Sequence, residues 1–246
     1  RVLSRRTLTF DSPALAGEEW PCYEATGSAD GPRLCVLAGV HGCEYSGIAA
    51  VCRFMRGLDT SVLSGTIVAV PIVSPAMFAG RAAFLSPADG KNPNRCFPGD
   101  PDGTYSDQLA HHIFTELIAP SDALVDVHGG DLVEALEPFT LYDESPVADR
   151  ARAMAVAYGL QYVVNPEPAG TAIGGTTSAA AAAAGIPGIT PEAGGCGLLE
   201  EDAIEAHARG LGNVARALGM LPGEPEPPER PQRLVRRFIW LRAKQA

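Results

Sequence analysis

The stretch Leu34-Cys-Val-Leu-Ala-Gly-Val-His41-Gly-Cys-Glu44 limits what this chain can fold into more than any other. Residues 34–40 are a nearly unbroken apolar run between Gly31-Pro32 and Gly42. A run that short, bounded by turn residues, reads as a strand covered on both faces, the condition of a parallel sheet flanked by helices. From Glu44 the pattern changes to helical spacing, with Ile48, Val51, Cys52 and Met55 on one face and Gly57 placed to end the helix in the left-handed conformation. His41 therefore falls in the turn after the strand, and Glu44 in the first turn of the helix. In open α/β sheets ligands bind at the carboxyl ends of strands. An imidazole and a carboxylate three residues apart across such a turn can converge on one ion, and zinc accepts both donors at about 2 Å.

A catalytic zinc needs three protein ligands and one open position. Of the other histidines, His111 and His112 lie in a helical stretch opened by Ser106, and His207 lies in a polar helix near residues 200–218. These read as helix-surface or packed residues. His128 differs, because it ends Ala123-Leu-Val-Asp-Val-His128-Gly-Gly, a second short apolar run stopped by glycines. Alternation puts Leu124, Asp126 and His128 on one face of that strand, so Asp126 can orient the ring behind the metal. A third strand, Ile186-Pro-Gly-Ile-Thr-Pro-Glu192, also ends on a charged group, followed by Ala-Gly-Gly. Glu192 is the candidate general acid/base, beside glycines that let a substrate approach closely. The loop Asp89-Gly-Lys-Asn92-Pro-Asn94-Arg95-Cys-Phe-Pro-Gly99 sets an amide beside a guanidinium fork suited to a carboxylate, and Arg81 can supply a cation to a developing oxyanion.

Taken in order, residues 1–30 support only a short strand near Cys22–Ala25. Residues 65–73 form a strand interrupted by Pro71, and 74–105 a long irregular segment of the kind that is usually functional. Further strands are expected at Phe139–Tyr142 and at 162–164. Helices are expected at 147–158, ended by Gly159, at Ala179–Ala184, and at 200–218. The alternation of strands and helices up to residue 220 argues for an α/β sandwich with a mainly parallel sheet. Residues 222–231 are a proline-rich linker, and 234–241 read as one strand, the start or remnant of a further β domain or a strand joining another sheet.

A formal net charge of -10 argues against a nucleic-acid or anionic-membrane partner, and no stretch approaches the ~20 apolar residues of a membrane span. No apolar segment follows the basic start, so a secretory signal is not expected. The six cysteines lack the spacing of a zinc ribbon or a disulfide scaffold and read as reduced thiols of a cytoplasmic protein, Cys43 and Cys96 included.

Together His41-Gly-Cys-Glu44, the stretch from Arg81 to Asn94-Arg95-Cys-Phe-Pro-Gly, Asp126-Val-His128 and Pro191-Glu192-Ala-Gly-Gly resemble the succinylglutamate desuccinylase/aspartoacylase family, a branch of the zinc carboxypeptidase superfamily. The resemblance runs from about residue 30 to 220. It implies a three-layer α/β/α sandwich, one zinc per chain, and hydrolysis of the amide of a small N-acyl amino acid; a homodimer is compatible with it. By position it implies His41, Glu44 and His128 as ligands, Glu192 as general acid/base, Arg81 as carbonyl polariser, and Asn94 and Arg95 as the substrate-carboxylate site. Where the family commonly has Asp-Leu-Asn-Arg this chain has Asn92-Pro93-Asn94-Arg95, and only a linker and one strand follow residue 220 where members commonly carry a β-rich domain. The alternatives on the same residues are a metallocarboxypeptidase acting on peptides and a catalytically silent ligand-binding protein.

Overall fold

A computed structural model of the chain describes residues 2–165 and 174–236. In chain order the elements are β1 (Val2–Leu8), β2 (Trp20–Thr26), β3 (Ala29–Ala38), α1 (Tyr45–Gly57), β4 (Ser64–Val70), α2 (Pro75–Gly80), α3 (Tyr105–Ile113), β5 (Ala123–Val127), β6 (Phe139–Tyr142), α4 (Ala148–Tyr158), β7 (Tyr162–Val164), α5 (Thr177–Ala183), β8 (Gly188–Glu192), α6 (Glu201–Ala217) and β9 (Arg233–Val235). The strands form one sheet in the order β1-β2-β4-β3-β5-β8-β6-β7-β9. Pairs β1/β2, β2/β4 and β6/β8 are antiparallel and the rest are parallel.

Period-two alternation in the central strands feeds two separate cores. Leu34, Val36 and Ala38 of β3, with Val125 and Val127 of β5, pack under α1, α4 and α6. Cys35 and Leu37, with Leu124, point to the opposite layer, where Leu109 and Ile113 of α3 meet Ala180 and Ala181 of α5. Burial of a Leu or Val side chain contributes about 1.5–3 kcal/mol, and both faces collect it, so the sheet is held as the middle of three layers. The chain leaves β3 through α1 to β4 on one side, then returns through α3 to β5 on the other. The carboxyl ends of β3 and β5 thus flank a switch point, the place where such sheets open a crevice.

Several boundaries depart from the sequence reading. Residues 1–30 hold two paired strands instead of one; β1 is an edge strand with much of its length exposed, so it carries no alternating apolar signal. Gly57 is the last helical residue of α1 and lacks a positive φ, the cap being Leu58 in extended conformation (φ -72°). Thr104, not Ser106, caps α3, with its N–H donating to Asp107 at 2.9 Å, while Ser106 donates both its N–H and its hydroxyl to Asp89 at 2.8 Å. The irregular segment contains the short helix α2, with Arg81 as its left-handed cap. The expected C-terminal strand is seen as β9, which extends the edge of this same sheet beside β7; residues 237–241 of that expectation lie outside the described residues.

Candidate active site

Three neighbouring strands, β3, β5 and β8, end within one crevice. Past β3 the chain bends through Gly39 (φ 62°), and the Ser74 hydroxyl pins the bend by donating to Val40 O at 2.7 Å. Gly42 is required by crowding: a β-carbon there would lie 2.3 Å from the backbone nitrogen of Phe78 in α2. This tight turn holds His41 over Glu44, which caps α1. Beside it His128 follows β5 directly, bridged to Glu192 at the end of β8.

The three side chains meet. Glu44 places one carboxylate oxygen 2.8 Å from His41 Nδ1 and the other 2.9 Å from His128 Nδ1, and all three residues are buried. Their donor atoms lie within 4.8 Å of one another. The far side of each ring fixes its tautomer. Asn92 Oδ1 already accepts the Asn94 N–H at 2.9 Å, so this oxygen faces His41 Nε2 at 3.0 Å and takes its hydrogen, leaving Nδ1 with a lone pair. His128 Nε2 donates to Asp126 Oδ2 at 2.9 Å, which again leaves Nδ1 for the shared centre. Asp126 in turn accepts the Thr177 hydroxyl, and Glu44 accepts the Gly129 N–H at 3.1 Å.

The electrostatics of the cluster suit a cation. Burial works against a charge on His41, but the adjoining Glu44 carboxylate outweighs it and raises the ring above its usual pKa. For His128 burial is opposed by Asp126 and Glu44 together, and its pKa rises well above the ordinary imidazole value. Burial favours neutral Glu44, yet the two imidazoles hold its carboxyl well below the usual range. Two carboxylates, Glu44 and Asp126, therefore stand against the two imidazoles in a buried pit, and Asp126 Oδ1 is buried without a hydrogen-bond partner among the described residues. Two imidazole nitrogens and one carboxylate oxygen are a donor set suited to a catalytic zinc, and the residues present fit that ion.

The cluster opens into a cavity of about 770 Å³, lined also by Asn92, Asn94, Arg95 and Glu192. Burial pushes the Glu192 carboxyl well above its ordinary pKa, with the His128 charge acting in the opposite sense. Arg95 is exposed at the cavity rim, donates to Asn94 O at 2.6 Å, and has no carboxylate partner among the described residues. Asn94 is buried; its Oδ1 accepts the Thr177 N–H at 3.2 Å and its Nδ2 stands 3.5 Å from His128 Nε2. Arg81 is not brought to the site, being exposed and outside the residues that line the cavity. Cys43 Sγ turns away to Ala82 O at 3.5 Å, and Cys96 Sγ to Asn92 O at 3.4 Å, so neither thiol joins the trio. The glycines after Glu192 serve packing: a β-carbon on Gly195 would meet Glu134 O at 2.1 Å. Asn92 and Thr177 were given no role by the sequence, and neither carries a local signal; each reaches the site across 51 residues. His207 is wholly buried under the site, 3.3 Å from Ala193 O.

Comparison with known proteins points to one family. The catalytic-domain model of the succinylglutamate desuccinylase/aspartoacylase family matches residues 30–218. An N-alpha-acetyl-L-2,4-diaminobutyric acid deacetylase from Halomonas elongata is 32% identical over 208 residues, covering 82% of this chain and 59% of that protein. The chain thus spans less than two thirds of that relative. Among solved structures, a succinylglutamate desuccinylase/aspartoacylase from Rhodobacter sphaeroides is 29% identical with a TM-score of 0.78, over 93% of this chain and 67% of the other. A product-bound ectoine utilization protein from Ruegeria pomeroyi is 26% identical with a TM-score of 0.80, over 94% and 71%. Family model, relative and three-layer architecture agree: this chain belongs to the succinylglutamate desuccinylase/aspartoacylase family.

Proposed function

We propose that this chain is a zinc-dependent amidohydrolase that removes the acyl group from a small N-acyl amino acid. The observation that carries the reading is the convergence of His41, Glu44 and His128 on one buried point with Glu192 across an adjoining strand end. His41, Glu44 and His128 would hold the ion. A zinc so held supplies Lewis acidity, polarising the amide carbonyl and lowering the pKa of a water beside it towards ~7. Asp126 keeps the His128 ring oriented, and Asn92 does the same for His41. Glu192, as the carboxylate, takes the water proton, and as the resulting acid it returns that proton to the leaving amine; burial raises its pKa and so favours holding the proton between the two transfers. Arg95 lines the cavity with one guanidinium nitrogen held by Asn94 O, and its remaining N–H groups pair with the carboxylate of the amino acid, while Asn94 shapes the wall beside it. Arg81 is given no step. The name of the Halomonas relative supports an acetylated amino acid as substrate. We assign the machinery to residues 1–220 and read 221–233 as a linker that carries the chain to β9.

The test is Glu192→Gln together with a panel of acetylated amino acids, succinylated amino acids and short peptides. The variant is expected to keep its zinc and lose about 10²- to 10⁴-fold in kcat. A zinc-loaded variant as active as the parent removes Glu192 from this role, and turnover confined to peptides replaces the deacylase reading with a carboxypeptidase.

A further inference from the structure

Beyond the metal end, the cavity runs along the exposed face of the second half of the sheet. Phe139 and Leu141 of β6, Val164 of β7 and Val235 of β9 give it an apolar floor, with Thr190 of β8 beside them. At the far end stands Asp143, immediately after β6, with Ser178 of α5. Pairing of Phe139 with Glu192 and of Tyr142 with Ile189 puts Asp143 four residues from the level of Glu192, about 13 Å at ~3.3 Å per residue. The Asp143 carboxylate lines the cavity, and no Lys or Arg pairs with it among the described residues. Arg95 is the one Lys or Arg among the described residues that line the cavity, whereas Glu134 and Glu137 add to its negative charge. One guanidinium matches one carboxylate, so a substrate carrying a second carboxylate would meet uncompensated repulsion.

We infer that Asp143 is the specificity-determining residue of this pocket, and that it receives the terminal cation of a basic side chain on an N-acyl amino acid whose own carboxylate pairs with Arg95. This rests on the amidohydrolase reading and names its substrate class. The Ser178 hydroxyl supports the carboxylate, and burial pushes the Asp143 carboxyl up. An arriving ammonium makes a charge-assisted hydrogen bond with it. The apolar floor accommodates the methylenes between the two charged ends, and a neutral side chain of equal length would leave Asp143 unpaired.

The experiment compares kcat/KM of the zinc-loaded protein for Nα-acetyl derivatives of L-2,4-diaminobutyrate, ornithine and lysine with those of norleucine and aspartate. The best basic substrate is expected to exceed the norleucine derivative by about 10- to 100-fold, the value of a charge-assisted hydrogen bond. Asp143→Asn is expected to shrink that ratio by at least about tenfold, and Ser178→Ala, which touches the same carboxylate, to shrink it less. Equal turnover of the norleucine or aspartate derivative by the parent, or an unchanged ratio in Asp143→Asn, overturns the inference and leaves the amidohydrolase reading standing. If no amide is hydrolysed, that reading fails, and calorimetric binding of free basic amino acids against norleucine decides the subsite: tighter binding of a basic one supports it, and equal binding overturns it.

Discussion

Acidification should destabilise this fold through one side chain, His207. On the inner face of α6 it is fully buried, its Nδ1 accepts the Tyr158 hydroxyl at 2.8 Å, and its Nε2 donates to Ala193 O at 3.3 Å, next to Glu192. Burial excludes a charged ring and lowers its pKa to about 4, against about 6.5 in an unfolded chain. Between these values the unfolded state holds a proton that the folded state does not. The contribution is therefore intact above pH ~6.5 and is lost as pH falls towards 4. A gap of ~2.5 units corresponds to about 3 kcal/mol, with a slope of up to about 1.4 kcal/mol per pH unit. His41 and His128 are shifted the opposite way, so the total curve mixes several groups. The diagnostic quantity is the difference between the parent and His207→Gln, both stripped of metal, measured by urea unfolding from pH 7 to 4. Glutamine retains an N–H for Ala193 O but does not titrate. The parent is expected to lose about 3 kcal/mol more than the variant over that range; parallel curves would refute the argument.

Other expectations concern the frame of the site. Thr177→Val removes the hydroxyl that donates to Asp126, whose other oxygen is already without a partner, and zinc affinity in competition with a chelator should fall about tenfold; unchanged affinity would refute that role for Thr177. Gly42→Ala forces a β-carbon to within 2.3 Å of the Phe78 nitrogen, which should cost about 1–3 kcal/mol in urea unfolding. The same displacement moves His41 away from Glu44, so a variant with parental stability and zinc affinity would contradict the packing described for this turn.

The parts legible in the sequence were those where burial on both faces leaves one pattern. The centre of β3 is apolar throughout and that of β5 is apolar apart from Asp126, because helices cover both sides, and their ends stand out because His41 and His128 interrupt those runs. The order β3-β5-β8 then brings the three charged ends together, a consequence of topology that spacing alone only suggests. What stayed hidden depends on distant partners. Edge strand β1 mixes Ser4, Arg5 and Arg6 with apolar residues and forms because β2 offers it a ladder. Asn92 reads as a turn residue until the fold sets it behind His41, and Thr177 reads as part of an alanine-rich helix until α5 is laid over Asp126. His207 had a signal that was available: it shares a helical face with Ala203, Ile204, Leu211 and Val214, which marks it as inward. Arg81 is the reverse case: a motif position suggests a role, while the left-handed end of α2 leaves the residue exposed and outside the cavity lining.

The account depends most on where a metal ion binds. Anomalous diffraction at the zinc edge from crystals of the zinc-loaded protein tests it directly. One ion per chain is predicted, bonded to the imidazoles of His41 and His128 and to the carboxylate of Glu44 at ~2.0–2.2 Å. A chain that takes up no zinc, or an ion bound elsewhere while Glu44 still bridges the two rings, would contradict it.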